Sequence, residues 1–111
     1  MEISEQRQGA VTIVKPGGPL CHAEAEQFSG HIDEVMARSL GRFVLDASGI
    51  PYVDSSGLGA LLRITNDLGE SGRSLRVCSA NETLREVMDL TGLADRFEFY
   101  EDVNAAVRSF L

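Results

Sequence analysis

The chain has few cysteines and histidines, which limits the chemistry that it can support. Its two cysteines, Cys21 and Cys78, lie far apart and form no C-x-x-C motif, so a disulfide framework is excluded. Both are expected to be small, buried apolar side chains, with a reactive or metal-bound thiol as the lesser alternative. His22 and His31 do not share a helical face at i, i+4, and no acidic cluster completes a metal site around them. No metal and no cofactor are therefore expected.

Runs of basic residues and long apolar segments are also missing. The 17 acidic residues outnumber the 10 basic ones and give a net charge of −7. Nucleic acid is disfavoured as a partner, and so is an anionic lipid surface, because both require a basic footprint. No apolar segment approaches the roughly 20 residues that span a bilayer, and the N-terminus has no signal-peptide pattern. These absences predict a soluble, cytoplasmic protein without membrane insertion.

The proportions of hydrophobic and charged residues are those of an ordinary globular protein. Hydrophobic residues make up 43% and charged residues 24% of the 111 positions. A chain of this length can bury a core without disulfides or metals, and no linker or repeat divides it. A single domain over residues 1–111 is therefore expected.

The spacing of apolar residues predicts an alternation of strands and helices. The predicted strands lie near residues 11–15, 43–45, 75–77 and 97–99, with a further N-terminal strand near Ile3. The predicted helices lie near residues 22–39, 58–68, 84–88 and 103–110. We expect Lys15–Pro19 to break the first long strand, Gly41 to end the first helix, and Asn81 and Asp102 to cap the last two helices. The order indicates an α/β fold with a four- to five-stranded mixed sheet, mostly parallel, covered by about four helices.

The segment Asp54–Gly59 has the most informative side chains. Its sequence is Asp-Ser-Ser-Gly-Leu-Gly, and it lies where a buried strand gives way to an amphipathic helix. Asp and Ser are preferred helix N-caps, and the first helical turn offers free N–H donors that favour an anion such as a phosphate on a hydroxyl. Gly57 and Gly59 are expected to leave the surface low, so that the backbone of another molecule can approach. The alternative from these residues alone is an ordinary cap and turn.

Motifs for nucleotide binding and nucleophilic catalysis are absent from the sequence. The glycines do not form G-x-G-x-x-G or G-x-x-x-x-G-K-[ST], and the serines do not lie in a G-x-S-x-G motif. No histidine is spaced as an evident base for a serine nucleophile. The sequence therefore favours a binding protein over an enzyme.

The run from Phe43 to Leu62 closely resembles the signature of the STAS domain. It reads FVLDASGIPYVDSSGLGALL, with Asp46-x-Ser48 before the Asp-Ser-Ser-Gly-Leu-Gly motif. It is most similar to the single-domain branch of that family, the bacterial anti-sigma factor antagonists. Weaker counterparts cover nearly the whole chain, at residues 18–20, 75–77, 90–93 and 97–111.

The resemblance implies a STAS-like fold and a binding module controlled by phosphorylation. In the family, the Ser or Thr directly after the motif Asp is phosphorylated by a partner that is both anti-sigma factor and ATP-using serine kinase. Here that residue is Ser55, with Ser56 as the lesser candidate. The unphosphorylated form binds the anti-sigma factor and frees a sigma factor, and a PP2C-type serine phosphatase restores it. The implied partner-binding residues are Asp54, Ser55, Ser56, Gly57, Leu58 and Gly59, with Asp54 helping to position the serine or the phosphate of the kinase.

One departure from the family pattern lies before the first helix. The family usually has an acidic residue after Gly-x-Leu, whereas Gly18-Pro19-Leu20 is followed here by Cys21. This leaves the polar role to His22, to Glu24 or to no residue.

Other functions remain open at this point. STAS-like single domains also resemble accessory subunits of lipid-exporting ABC transporters, where the motif hydroxyl would be a contact without phosphate turnover. A related alternative is a partner switch with an output other than a sigma factor, such as a cyclase or a secretion regulator. The sequence does not fix the oligomeric state.

Overall fold

A computed structural model describes residues 1–111 and contains one five-stranded sheet in the order β1-β2-β3-β4-β5. The strands are β1 (Glu2–Gln8), β2 (Val11–Gly17), β3 (Phe43–Asp46), β4 (Leu75–Cys78) and β5 (Phe97–Tyr100). The hairpin β1–β2 is antiparallel and every later pair is parallel. The predicted mixed, mostly parallel sheet and the additional N-terminal strand are both confirmed.

Four helices cover the sheet, as predicted. They are α1 (His22–Ser39), α2 (Ser55–Gly69), α3 (Glu82–Leu90) and α4 (Val103–Arg108), and the 3₁₀ turns Ala47–Gly49 and Ala94–Arg96 precede α2 and β5. Asn81 and Asp102 cap α3 and α4 by accepting the N–H groups of Leu84 and Ala105 at 2.8 Å each. No helix has the length and apolar character needed to cross a membrane.

The helices form two layers, one on each face of the sheet. The larger core of 17 residues joins one face to α1, α2 and α3, and the smaller core of six joins the other face to α4. The sheet is therefore covered on both sides, which is typical of parallel strands. In β2 this buries Thr12 and Val14 as well as Val11 and Ile13.

The first long strand also continues further than its sequence predicts. Lys15–Pro19 was expected to break it, yet β2 continues through Pro16 to Gly17. Pro16 pairs with Ile3 of β1 and lies beyond Val14, the last β2 residue paired with β3. Its missing N–H therefore interrupts no hydrogen bond between β2 and β3, and proline is tolerated there.

The first helix ends where the sequence predicts, at Ser39, with Gly41 just beyond its end. Leu40 is the C-cap, with a left-handed φ of 55°, and Gly41 follows it with a φ of 80°. The left-handed region disfavours a leucine because its Cβ approaches the carbonyl oxygen that follows. Leu40 is also 76% exposed, so this end of α1 is a strained and open turn.

A short parallel bridge brings the beginnings of α1 and α2 together. Leu20, just before α1, bridges to Val53, just before α2. The Leu20 N–H donates to the Tyr52 carbonyl at 3.1 Å, and the Asp54 N–H donates to the Leu20 carbonyl at 3.2 Å. Both helices therefore begin at the same edge of the sheet, where parallel strand β3 also ends.

Candidate functional site

Asp54 is the N-cap of α2. Its Oδ1 accepts the N–H of Gly57 at 2.9 Å, and its backbone is extended, with a φ of −104° and a ψ of −170°. Of the three candidate caps in the sequence, the structure selects Asp54 and places Ser55 and Ser56 in the first turn. This is the geometry in which a carboxylate satisfies a free helical N–H.

Asp54 also faces the beginning of α1. Its Oδ2 lies 3.7 Å from Nδ1 of His22, whose side chain is 85% exposed. The pKa of Asp54 is held below its ordinary value, chiefly because the Gly57 N–H donates to the carboxylate. The His22 N–H, the His22 ring and the Ser56 N–H act in the same direction, while desolvation opposes them. The carboxylate is therefore ionised between two helix N-termini.

The hydroxyl groups of Ser55 and Ser56 are accessible. Both residues are exposed, and neither hydroxyl forms a hydrogen bond with another group of the chain. Each lies in the first turn of α2, where free N–H groups and the positive end of the helix dipole favour an added anion. This environment can accommodate a phosphoryl group while the fold is retained.

The two glycines of the motif have different surroundings. A Cβ at Gly57 would lie 2.1 Å from the carbonyl oxygen of Leu20, and Gly57 is buried. It therefore lets α2 pack on the segment before α1, which corrects the expectation that it leaves room for another molecule. A Cβ at Gly59 would meet nothing within 4 Å, and this exposed glycine does leave the surface low.

Leu58, the remaining residue of the predicted site, lies partly at the surface and partly against the core. It is half-buried and packs against the larger core. Together with Gly57 it fixes α2 to the domain, while Ser55, Ser56 and Gly59 form its outer surface. The predicted site is therefore one contiguous segment with an inner and an outer side.

A groove between α1 and α2 adjoins the two serines, and local sequence patterns did not indicate it. It has a volume of about 280 Å³ and is lined on the α2 side by Ser56, Gly59 and Arg63. On the α1 side it is lined by His22 and Glu26, among others. These residues come together because the two helices pack side by side, a contact that no local spacing encodes. Tyr52, which lies two residues before Asp54, is also an exposed large side chain.

The cysteines are not activated. Cys78 is fully buried, as expected, and burial raises the pKa of its thiol to about 11. Cys21 was also expected to be buried but is only half-buried; it precedes α1 and provides no side-chain cap. Its pKa is raised by desolvation and by the negative charges of Glu24 and Asp54, so the thiol stays protonated. No three His, Cys, Asp or Glu side chains are grouped as metal ligands.

The STAS domain family model matches residues 2–106. The chain belongs to the STAS domain family. Among its relatives, an anti-sigma F factor antagonist of Paenibacillus polymyxa is 28% identical over 107 residues, which cover 95% of this chain and 92% of the relative.

Solved structures share the fold of this STAS chain. An anti-sigma factor antagonist from Mycobacterium paratuberculosis matches with a TM-score of 0.83 at 24% identity, over 97% of this chain and 92% of that one. The Bacillus cell fate determinant SpoIIAA in its phosphorylated form matches with a TM-score of 0.69 at 19% identity, over 97% and 99% of the two chains. The predicted STAS-like architecture is therefore confirmed.

Proposed function

We propose that this STAS chain is an anti-sigma factor antagonist that is switched by phosphorylation of Ser55. In its unmodified form, the outer surface of Asp54–Gly59 binds an anti-sigma factor that is also an ATP-using serine kinase. A PP2C-type serine phosphatase reverses the modification, and the chain itself acts in the cytoplasm as a binding module, not as an enzyme. The observation that supports this most directly is an exposed, unbonded hydroxyl directly after the Asp54 cap, in a chain similar to an anti-sigma F factor antagonist.

The effect of the modification follows from the charges at the site. A phosphoryl group adds a charge of about −1.5 to −2 at pH 7. It would lie beside the ionised Asp54, so a partner surface that matches one carboxylate would have to desolvate a larger, more highly charged group without contacts that compensate it. A loss of about 3 kcal/mol in binding free energy weakens an interaction more than a hundredfold.

The same modification leaves the domain folded. The phosphate would project from an exposed position, and the free N–H groups of the first turn of α2 favour a negative charge. No buried contact of Ser55 has to break. Phosphorylation can therefore control binding without unfolding the antagonist.

Phosphorylation in the cell tests the proposal. The chain purified from its host should contain a fraction heavier by about 80 Da, the mass of one phosphoryl group, and fragmentation should place it on Ser55. Ser55→Ala should abolish this fraction, while the matched control Ser56→Ala, exposed in the same helical turn, should retain it. Uptake of phosphate by Ser55→Ala at the wild-type rate would refute the assignment.

Capture of the binding partner tests the proposal that the unmodified chain binds an anti-sigma factor. Unmodified protein should retain an anti-sigma factor with a serine-kinase domain, identified by mass spectrometry, and Ser55→Asp should retain much less because the added carboxylate would be desolvated in the interface without a compensating contact. Recovery of the ATPase subunit of a lipid transporter would instead support an accessory role in transport.

A further inference from the structure

A cavity lined by arginines lies at the end of the domain opposite Ser55. We call it the arginine cavity; it has a volume of about 290 Å³, and its lining includes Arg7, Thr12, Arg38 and Arg42. Helix α1 begins beside Asp54 and reaches this cavity with its last residue, Ser39. Its 18 residues correspond to roughly 27 Å at 1.5 Å per residue, so the two places are separate.

Two of the three guanidinium groups are uncompensated. Arg38 is neutralised by Glu5 of β1, at 3.0 Å and 3.1 Å, and Glu5 also contacts His31 at 2.6 Å. Arg7 and Arg42 form no ion pair with any carboxylate of the chain, although the chain has seven more acidic than basic residues. The cavity therefore concentrates positive charge on a protein whose net charge is negative.

A hydroxyl of a largely buried residue opens onto the same cavity. Thr12 is only 7% exposed and lines the cavity, and its hydroxyl forms no hydrogen bond within the chain. A hydroxyl that is closed off from solvent is normally hydrogen-bonded within the protein, and no buried side-chain oxygen or nitrogen of this chain lacks a partner. Thr65, which is 3% exposed, illustrates this: its hydroxyl donates to the Arg96 carbonyl at 2.6 Å and accepts the Leu75 N–H at 3.0 Å. The unpaired Thr12 hydroxyl is therefore not closed off but open to the cavity, where a ligand can reach it.

We propose that the arginine cavity is a binding site for a phosphate group, contacted by the guanidinium groups of Arg7 and Arg42 and by the hydroxyl of Thr12. Two unpaired positive charges match a dianionic phosphate better than a monocarboxylate, and guanidinium groups form strong charge-assisted hydrogen bonds with phosphate oxygens. The phosphate can be free inorganic phosphate or the terminal group of a small phosphate ester. The site is independent of the proposed switch at Ser55, because it shares no residue with it.

Titration followed by amide NMR tests the site. At constant ionic strength, inorganic phosphate should shift the amide signals of Arg7, Thr12 and Arg42 to saturation and leave those of Ser55–Gly59 unchanged. Glycerol phosphate and pyrophosphate form the second arm. Tighter binding of either than of inorganic phosphate identifies an ester or an anhydride as the ligand, and the reverse order identifies the free ion.

Charge-matched variants distinguish a specific phosphate site from nonspecific electrostatic attraction of phosphate to the protein. Arg7→Gln/Arg42→Gln should weaken phosphate binding by at least about tenfold, because two charge-assisted hydrogen bonds are lost. Lys15→Gln/Arg108→Gln removes the same charge elsewhere and should leave the affinity within about twofold, because only the long-range field changes. Thr12→Val, which keeps the shape, should weaken binding severalfold. Shifts that never saturate, or equal weakening by both double variants, would overturn the proposal.

Discussion

Helices α1 and α2 begin side by side at one edge of the sheet, yet their first turns are stabilised differently. Asp54 precedes α2 and accepts the Gly57 N–H at 2.9 Å. Cys21 precedes α1, provides no side-chain cap, and is followed by His22 with a left-handed φ of 48°. One helix therefore begins with a satisfied cap and the other with an uncapped, strained turn.

The difference indicates that Asp54 serves both helices. Its second carboxylate oxygen lies 3.7 Å from the His22 ring, and the His22 N–H helps to keep its pKa low. The protonated thiol of Cys21 adds no negative charge beside Asp54. An anion in the first turn of α2 would therefore lie near two helix N-termini, which favour negative charge.

The largest expected effect comes from breaking the contact between the two helix beginnings. Gly57→Ala should lower the free energy of unfolding by about 3 kcal/mol, because its Cβ would overlap the Leu20 carbonyl and the backbone cannot yield without shifting α2. Gly59→Ala is the matched control in the same helix. Its Cβ meets open space, so it should gain about 0.5–1 kcal/mol from higher helix propensity. Urea denaturation followed by circular dichroism measures both, and equal stability of the two variants would contradict the packing role of Gly57.

These two glycines also mark where sequence reasoning reaches its limit. The caps Asn81 and Asp102 were predictable, and Asp54 was one of three candidates, because a cap depends on residues within three positions of it. The function of Gly57 was not, because it depends on Leu20, which only the folded chain brings near.

The burial of Thr12 likewise could not be predicted from its sequence neighbours. Alternation with polar residues marks a strand but does not reveal that helices cover both its faces, and the arginines around Thr12 come from three separate segments of the chain. Local patterns therefore indicated the Asp54–Gly59 segment, while the groove beside it and the arginine cavity required coordinates.

The pH dependence of folding stability tests the role of the Asp54 carboxylate between the two helices. Because its folded pKa lies below the ordinary value of 3.8, its ionised form stabilises the fold above that pH, and this contribution is lost as the pH falls through the lower folded pKa. Asp54→Asn keeps a capping oxygen but cannot ionise, so its stability should decline less than that of the wild type between neutral pH and pH values below 3.8. Urea denaturation across this range gives the difference between the two proteins, in which the contribution of Glu5, whose pKa is also lowered, cancels. Parallel pH profiles would show that the carboxylate is not stabilised by the two helix ends.

The smallest effect should come from supplying α1 with the cap that it lacks. Cys21→Ser should raise Tm by roughly 3 °C, because the hydroxyl can accept a free N–H of the first turn. Cys21→Asp should gain less at low salt, since Glu24 and Asp54, which already raise the pKa of the Cys21 thiol, would repel a carboxylate there. High salt should narrow the difference between the two variants by screening this repulsion. If the aspartate variant were the more stable at low salt, Asp54 would not act across the gap between the helices, and the shared role of its carboxylate would fail.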